Sequence, residues 1–440
     1  MNKKSFASTI IAVIFVCPVL AVTHTFTPTD IGSLKIKMSD GSLQPGDTLL
    51  LQDGTYSHLG KVSFTGNGTA DYPIILKAAN TGKAIISGTT EIRMAGSYLQ
   101  LEGLYFHKAW ASDFEMIEFQ LDKEHPATHC RITQCAIDDC NDPAKGEKPG
   151  GGTENWIGLH GNNNRIDHCY FANKRARGLV IQITVEDGGD HNHHQIDHNI
   201  FGYRKPFGGN GAEIIRVGNS WSSQLPSYSI IEENIFYHCD GENEIISVKS
   251  GFNTVRRNLF YESRGGLVCR HGHNNIIDSN VIIGNQLPGT SGIRIINQGH
   301  TVSNNYVEGV TGKGSSAAFI LRMGVYERPS APEDYEDEKL NRQMRLEFYQ
   351  LIEKEQLTYH FQPILSAKNG EIIAYEALMR SQLATLKNPE MILRIAREEN
   401  KLEDVERICI FKSTETFDQL RKNKLVKEDA LLFINSIASV

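Results

Sequence analysis

Ile196-Asp197-His198-Asn199-Ile200-Phe201 is one copy of a repeated phrase: an aliphatic residue, two or three polar ones, Asn or Cys, any residue, then an aromatic or aliphatic. It recurs over Ile166–Phe171, Ile231–Phe236, Val255–Phe260, Ile277–Ile282 and Val302–Val307. The anchors Cys169, Asn199, Asn234, Asn258, Asn280 and Asn305 are spaced by 30, 35, 24, 22 and 25 residues. Periods of this size signal a solenoid built from one supersecondary unit per repeat. Apolar residues alternate within each short β-prone phrase, and Gly, Asn and Asp bound it, so the unit is a strand with tight turns. An Asn repeated at one turn satisfies backbone groups and the Asn of the next coil. The expected fold for residues 25–325 is a right-handed parallel β-helix. A leucine-rich repeat would need an LxxLxL phrase that is absent, and a propeller would need longer periods without an Asn ladder.

Beyond the repeat, composition changes. The chain has 440 residues, 22% charged and 40% hydrophobic, with a net charge of −7. It lacks the basic excess of a nucleic-acid binder, so no nucleic acid is expected as partner. Of 39 glycines, only Gly370 follows Val325. Two unlike domains are therefore expected: residues 22–326, a linker and helix start over 327–340 containing Pro-Ser-Ala-Pro, and a second domain over 337–440.

Residues 1–21 carry Lys3 and Lys4, an apolar run from Phe6 to Leu20, and Val19-Leu20-Ala21. This order matches a cleaved signal peptide, and the run is shorter than the ~20 residues a spanning helix requires. The mature chain is expected to be secreted or periplasmic, with no membrane association. Seven cysteines then remain, with no CxxC pair and no zinc-ligand spacing. Cys135 and Cys169 occupy equivalent repeat positions, where stacked thiols are the simpler reading, although export permits disulfides.

Two coils carry more charge than a stack needs. Glu242 and Glu244 are two apart in Cys239-Asp240-Gly241-Glu242-Asn243-Glu244, a spacing that on a strand turns both carboxylates to one face. Adjacent like charges repel unless a cation sits between them, and hard oxygen donors suit calcium. Lys249 follows on the same strand, and Arg270 comes 21 residues later, close to one coil. A surface salt-bridge patch would explain any one of these pairs, but a third coil, Asn210-Gly211-Ala212-Glu213-Ile214-Ile215-Arg216-Val217-Gly218, precedes them in order. The histidines His191, His193 and His194 beside Asp190 read as a solvated loop and not as a metal site.

In these phrases, with Arg270-His271-Gly272, the sequence resembles polysaccharide lyase family 6, the β-helical lyases of alginate and dermatan sulfate. The resemblance implies Lys249 as base, Arg270 as acid, Ca²⁺ on Asn210, Glu242 and Glu244, and sugar binding by Arg216 and His271. The partner it implies is an anionic polysaccharide. The residue types suit elimination from a 4-linked uronate: the weakly acidic C5 proton leaves only if the adjacent carboxylate is neutralised, and the base must be uncharged. Arginine's high pKa favours an electrostatic role for Arg270 over proton donation. Alginate is the preferred substrate, dermatan sulfate the alternative, and a non-catalytic β-helical binding protein the second class. The family's C-terminal coils, with further substrate-binding residues, have no counterpart after Val325.

From Asp337 the pattern is helical, with Leu340, Met344, Leu346, Tyr349 and Ile352 as an apolar stripe. Strands are expected at 358–365, 372–379 and 431–437, helices at 389–400 and 403–421. Tyr359-His360-Phe361-Gln362-Pro363-Ile364, Tyr375-Glu376-Ala377-Leu378-Met379-Arg380 and Phe433-Ile434-Asn435-Ser436 resemble EAL domains, which hydrolyse cyclic di-GMP. Glu376 and Asn435 match two metal ligands of that family, whose barrel is about twice as long. The acidic pair and the catalytic lysine of that barrel would fall past Val440, so this α/β, TIM-barrel-like fragment is expected to be inactive and cyclic di-GMP signalling is the least favoured function.

Overall fold

The structure, a computed structural model, describes residues 21–112, 115–144, 154–186, 191–322, 332–383, 385–399 and 401–435, with the backbone alone for 332–342 and 398. The expected signal peptide before Ala21, the linker before Pro332, Asp190 and Ser436 lie outside the described residues. The chain divides into two compact units, Met1–Ser330 and Ala331–Val440.

The first unit is a parallel β-helix. One face is an eleven-stranded sheet running from Thr23–Phe26 to Thr301–Ser303. The other two faces join through the long strand Ala84–Ser97, which pairs with Gly54–Ser57 and with Gly60–Asn67. The helix Ile31–Ser39 buries Leu34 and Met38 in the common core, covering the first coil; a solenoid needs such a cap because an end coil has only one neighbour.

The repeated phrase makes the corner between the first and second faces. His168, His198, Glu233, Arg257, Ser279 and Asn304 each have φ between 54° and 57°, left-handed backbone that disfavours an L-residue by roughly 1–2 kcal/mol. The next residue compensates. The Oδ1 atoms of Asn199, Asn234, Asn258, Asn280 and Asn305 each accept the backbone N–H of the anchor one coil earlier, at 2.9–3.1 Å. Behind them Phe171, Phe201, Phe236 and Phe260 stack with centroids 4.7–5.0 Å apart. A second ladder, unforeseen in the sequence, runs through Asn164, His194, Asn253, Asn275 and His300. His194 belongs to it as a buried acceptor, pushed down to about 3 chiefly by burial. All seven cysteines among the described residues are free and buried, which fits the stacked-thiol reading of Cys135 and Cys169.

The third face carries the site. Its strands are β1 (Glu115–Glu118), β2 (Asn155–Leu159), β3 (Ile181–Ile183), β4 (Ile215–Val217), β5 (Glu244–Lys249), β6 (Gly265–His271) and β7 (Thr290–Ile296). Ile117, Ile157, Ile181, Ile215, Ile246, Leu267 and Ile293 align in register as its core row. Because side chains alternate along a strand, the next row, which contains Glu118, Gln182, Arg216, Ser247 and Arg294, belongs to the opposite side.

The second unit has an antiparallel pair, Leu357–Leu365 with Ile372–Ser381, and a parallel third strand, Leu431–Ile434. Helices span Pro332–Glu353, Pro389–Glu398 and Leu402–Lys422. Asn388 caps the second by accepting the Glu390 N–H at 3.0 Å. The expected apolar stripe needs correction: Met344, Phe348 and Leu351 are buried, whereas Leu346 and Tyr349 are exposed. The i, i+4, i+7 spacing of the buried set is the true inner face.

Candidate active site

Lys249 ends β5, and the adjoining coil supplies Arg270 and His271 on β6. Val248 pairs with Cys269 but Lys249 pairs with His271. Arg270 is thus the extra residue of a β-bulge, the device by which a sheet re-aims one side chain. His271 is buried opposite Lys249, and the Arg270 side chain is 38% exposed. The one-coil spacing read from the sequence holds, and the bulge explains why the two residues are not simply in register.

A cavity of about 540 Å³ lies alongside, lined in part by Asn210, Glu242, Glu244, Arg270 and Arg294. Glu242 sits on a bend before β5 and not on the strand itself, a departure from the two-apart strand argument, yet both carboxylates reach the same cavity. Glu242 Oε2 accepts the backbone N–H groups of Gly211 and Ala212 at 2.7 and 3.1 Å. Burial, and then the neighbouring Glu213 carboxylate, raise Glu242 to about 7 despite those donors. Glu244 accepts from Ser247 Oγ at 2.5 Å and from Arg270 Nη1 at 3.5 Å, and it pairs with Arg294.

Three residues of the site were not legible in the sequence. Glu213 is buried, with Oε1 3.7 Å from Lys249 Nζ and 3.8 Å from Arg216 Nη1, and its Oε2 has no hydrogen-bond partner. Gln182 accepts from Arg216 Nε at 2.7 Å and fixes that guanidinium. Arg294, buried on β7, neutralises Glu244 from the far side. Their signal is one of register, since Gln182 pairs with Arg216 and Val268 with Arg294 across coils of unequal length.

The electrostatics suit proton abstraction. Burial holds Lys249 below the ordinary lysine value; Glu213 opposes this, and Arg216 and Arg270 reinforce it. A partly buried lysine beside two guanidinium groups releases its proton more readily, as a general base requires. Oxygen donors from Asn210, Glu242 and Glu244 around one cavity are the hard ligand set that calcium takes. Burial is the main reason that Glu242 is raised, and the Glu213 and Glu244 carboxylates add a repulsion that a divalent cation would relieve. The donors therefore fit that ion, while Arg294 already supplies part of the neutralisation.

In the second unit Asn435 Nδ2 donates to Glu376 Oε1 at 2.9 Å, so the two EAL-type residues are adjacent. Among the described residues no helix is long and apolar enough to cross a membrane.

Comparison with known proteins places these observations in a family. Residues 34–335 match the family described as Chondroitinase B, and residues 345–438 match the EAL domain. A mannuronic acid-specific polysaccharide family 6 lyase from human gut microbiota shares 57% identity and a TM-score of 0.69, covering 72% of this chain and 70% of its own. The family 6 alginate lyase AlyGC shares 37% identity with a TM-score of 0.64, over 69% of this chain but 41% of its own. A family 6 polysaccharide lyase from Pseudopedobacter saltans shares 25% identity with a TM-score of 0.59, over 80% and 72%. The chain thus spans less than half of AlyGC. Comparison with curated proteins gave no match.

Proposed function

The chain belongs to the Chondroitinase B family, and from that premise we propose that it is a lyase that cleaves alginate by β-elimination, with mannuronate-containing stretches as the first substrate to test. The observation that carries this reading is the partly buried Lys249 set against Arg270 and His271 across a bulge. Lys249, held below the usual lysine value, takes the C5 proton. Arg270, the exposed member of the bulge, faces the leaving glycosidic oxygen and stabilises its charge. Arg216, fixed by Gln182 and Glu213, holds a neighbouring uronate carboxylate. His271, in register with Lys249 on the adjoining coil, is the second sugar-binding residue.

Ca²⁺ is proposed as the cofactor, held by Asn210, Glu242 and Glu244; when bound it supplies Lewis-acid neutralisation of the substrate carboxylate. The partner is an anionic polysaccharide, and the N-terminal Lys–apolar–Ala pattern supports action outside the cytoplasm. Dermatan sulfate is the second substrate, favoured only by the family description over residues 34–335.

The test is direct. The full chain is incubated with polymannuronate, polyguluronate and dermatan sulfate, and unsaturated uronate is followed by its ultraviolet absorption. Product from polymannuronate is expected, suppressed by chelator and restored by Ca²⁺. Binding without product would assign the protein to the non-catalytic class, and turnover insensitive to chelator would transfer the neutralising role to Arg294 and its neighbours.

A further inference from the structure

Three strands before Arg216 on the same face, a second group of metal-ligating side chains converges. Glu115 and Glu118 begin and end β1, and His160 follows β2. One donor atom from each lies within 4.8 Å of the others. We infer that His160, Glu115 and Glu118 form a binding site for a borderline divalent cation of the zinc class, separate from the carboxylate pair near Lys249.

The argument rests first on His160. Both ring nitrogens are buried and lack a hydrogen-bond partner, an arrangement native proteins rarely leave unexplained. Its Nε2 stands 3.9 Å from Glu115 Oε2 and 4.0 Å from Glu118 Oε1. That gap is informative because this protein shows what a hydrogen-bonded His–carboxylate pair looks like: His168 and His198 meet Asp167 and Asp197 at 2.7 and 2.8 Å. His160 is more than 1 Å too far from either carboxylate for such a bond. The separations exceed by only a few tenths of an ångström the roughly 3.3–3.6 Å between neighbouring donors of a tetrahedral ion with bonds of about 2.0–2.2 Å, a difference that a small rotation of either carboxylate closes.

The surroundings support a built site. Glu115's carboxylate lies over Gly158, where a Cβ would come 2.5 Å from its carboxyl carbon and push the carboxylate aside. Asn155 donates to Glu115, while Gln120 and Arg93 hold Glu118, outer contacts of the kind that orient metal ligands. His160 also borders a cavity of about 210 Å³, shared with Gln120, the residue that holds Glu118. One imidazole and two carboxylates make a mixed N/O set suited to Zn²⁺ more than to Ca²⁺.

The experiment uses the full chain, stripped with chelator, then dialysed against Zn²⁺ in excess Ca²⁺ so that the oxygen-only site is filled. Bound zinc is measured by elemental analysis, and melting is recorded with and without Zn²⁺. One equivalent is expected, with a zinc-dependent rise in melting temperature. His160→Ala, and the nearly isosteric Glu115→Gln should His160→Ala not fold, should each weaken Zn²⁺ by about 100-fold or more and abolish the thermal shift. No zinc uptake by the wild type, or equal uptake by the folded variants, would overturn the site. Binding is read without substrate, so the result stands whichever way the lyase assay falls.

Discussion

The corner between the first two faces and the third face are built from the same coils, yet they obey different rules. At the corner, each anchor from Asn199 to Asn305 repeats one hydrogen bond within 0.2 Å. On the third face the register slips at Val248/Lys249 and again at Gly265/Leu267. Buried atoms there, such as Glu213 Oε2, lack partners. The regular corner makes the stack stable, and the irregular face spends part of that stability on a lysine held below its ordinary value and carboxylates held close together. Activity and stability should therefore separate cleanly between the two regions.

The sharpest test of that separation is Lys249→Ala. Turnover should fall by about 10²–10⁴-fold, the usual contribution of a general base, with an unchanged melting temperature. Full activity in this variant would remove Lys249 from the mechanism. The mirror experiment is Asn258→Ala at the corner. It orphans the Asn234 N–H and the Ile231 carbonyl and should cost about 2–4 kcal/mol in urea unfolding, while kcat of the folded fraction is kept. Equal losses of activity and stability in either variant would break the comparison.

A finer test addresses how the face sets its pH response. Glu213 raises Lys249 against the burial that lowers it. Glu213→Gln removes that anion, so Lys249 loses its proton at lower pH and the ascending limb of the pH–rate profile should move toward acid. An unmoved limb would show that Glu213 only positions Arg216. Calcium adds a related prediction: because Glu242 takes a proton at about 7, Ca²⁺ affinity should weaken as pH falls through that value, measurable by titration calorimetry at pH 6 and 8. The smallest expected effect lies in the second unit. There Asn435 Nδ2 is already engaged by Glu376 Oε1 at 2.9 Å, and the chain should show no hydrolysis of cyclic di-GMP by chromatography.

What could be read in advance divides along the same line. The Asn anchors were legible because a ladder demands the same residue at the same turn. Lys249, Arg270 and the Glu242–Glu244 pair stood out because charges are unexpected on a stacking strand. Glu213, Gln182 and Arg294 were hidden, since their roles depend on Lys249, Arg216 and Glu244, 34–50 residues away across loops of differing length. The His194 ladder was hidden for another reason: a histidine beside glycine and aspartate looks solvated until its neighbours bury it. In the second unit the strand and helix positions were readable, but Leu346 and Tyr349 were misplaced because apolar residues there line both sides of the helix.

One property of the corner has consequences for how such a molecule diversifies. Successive anchors are 22 to 35 residues apart, but the pitch between them, fixed by one amide, does not vary. Contour length and rise are uncoupled: extra residues are stored sideways, as between Phe201 and Ile214, and never lengthen the thread. A coil can thus lose or acquire a loop of a dozen residues without shifting the coils above and below it. Surface segments that select the polymer can be exchanged as cassettes while the distance from one coil's charge to the next is conserved.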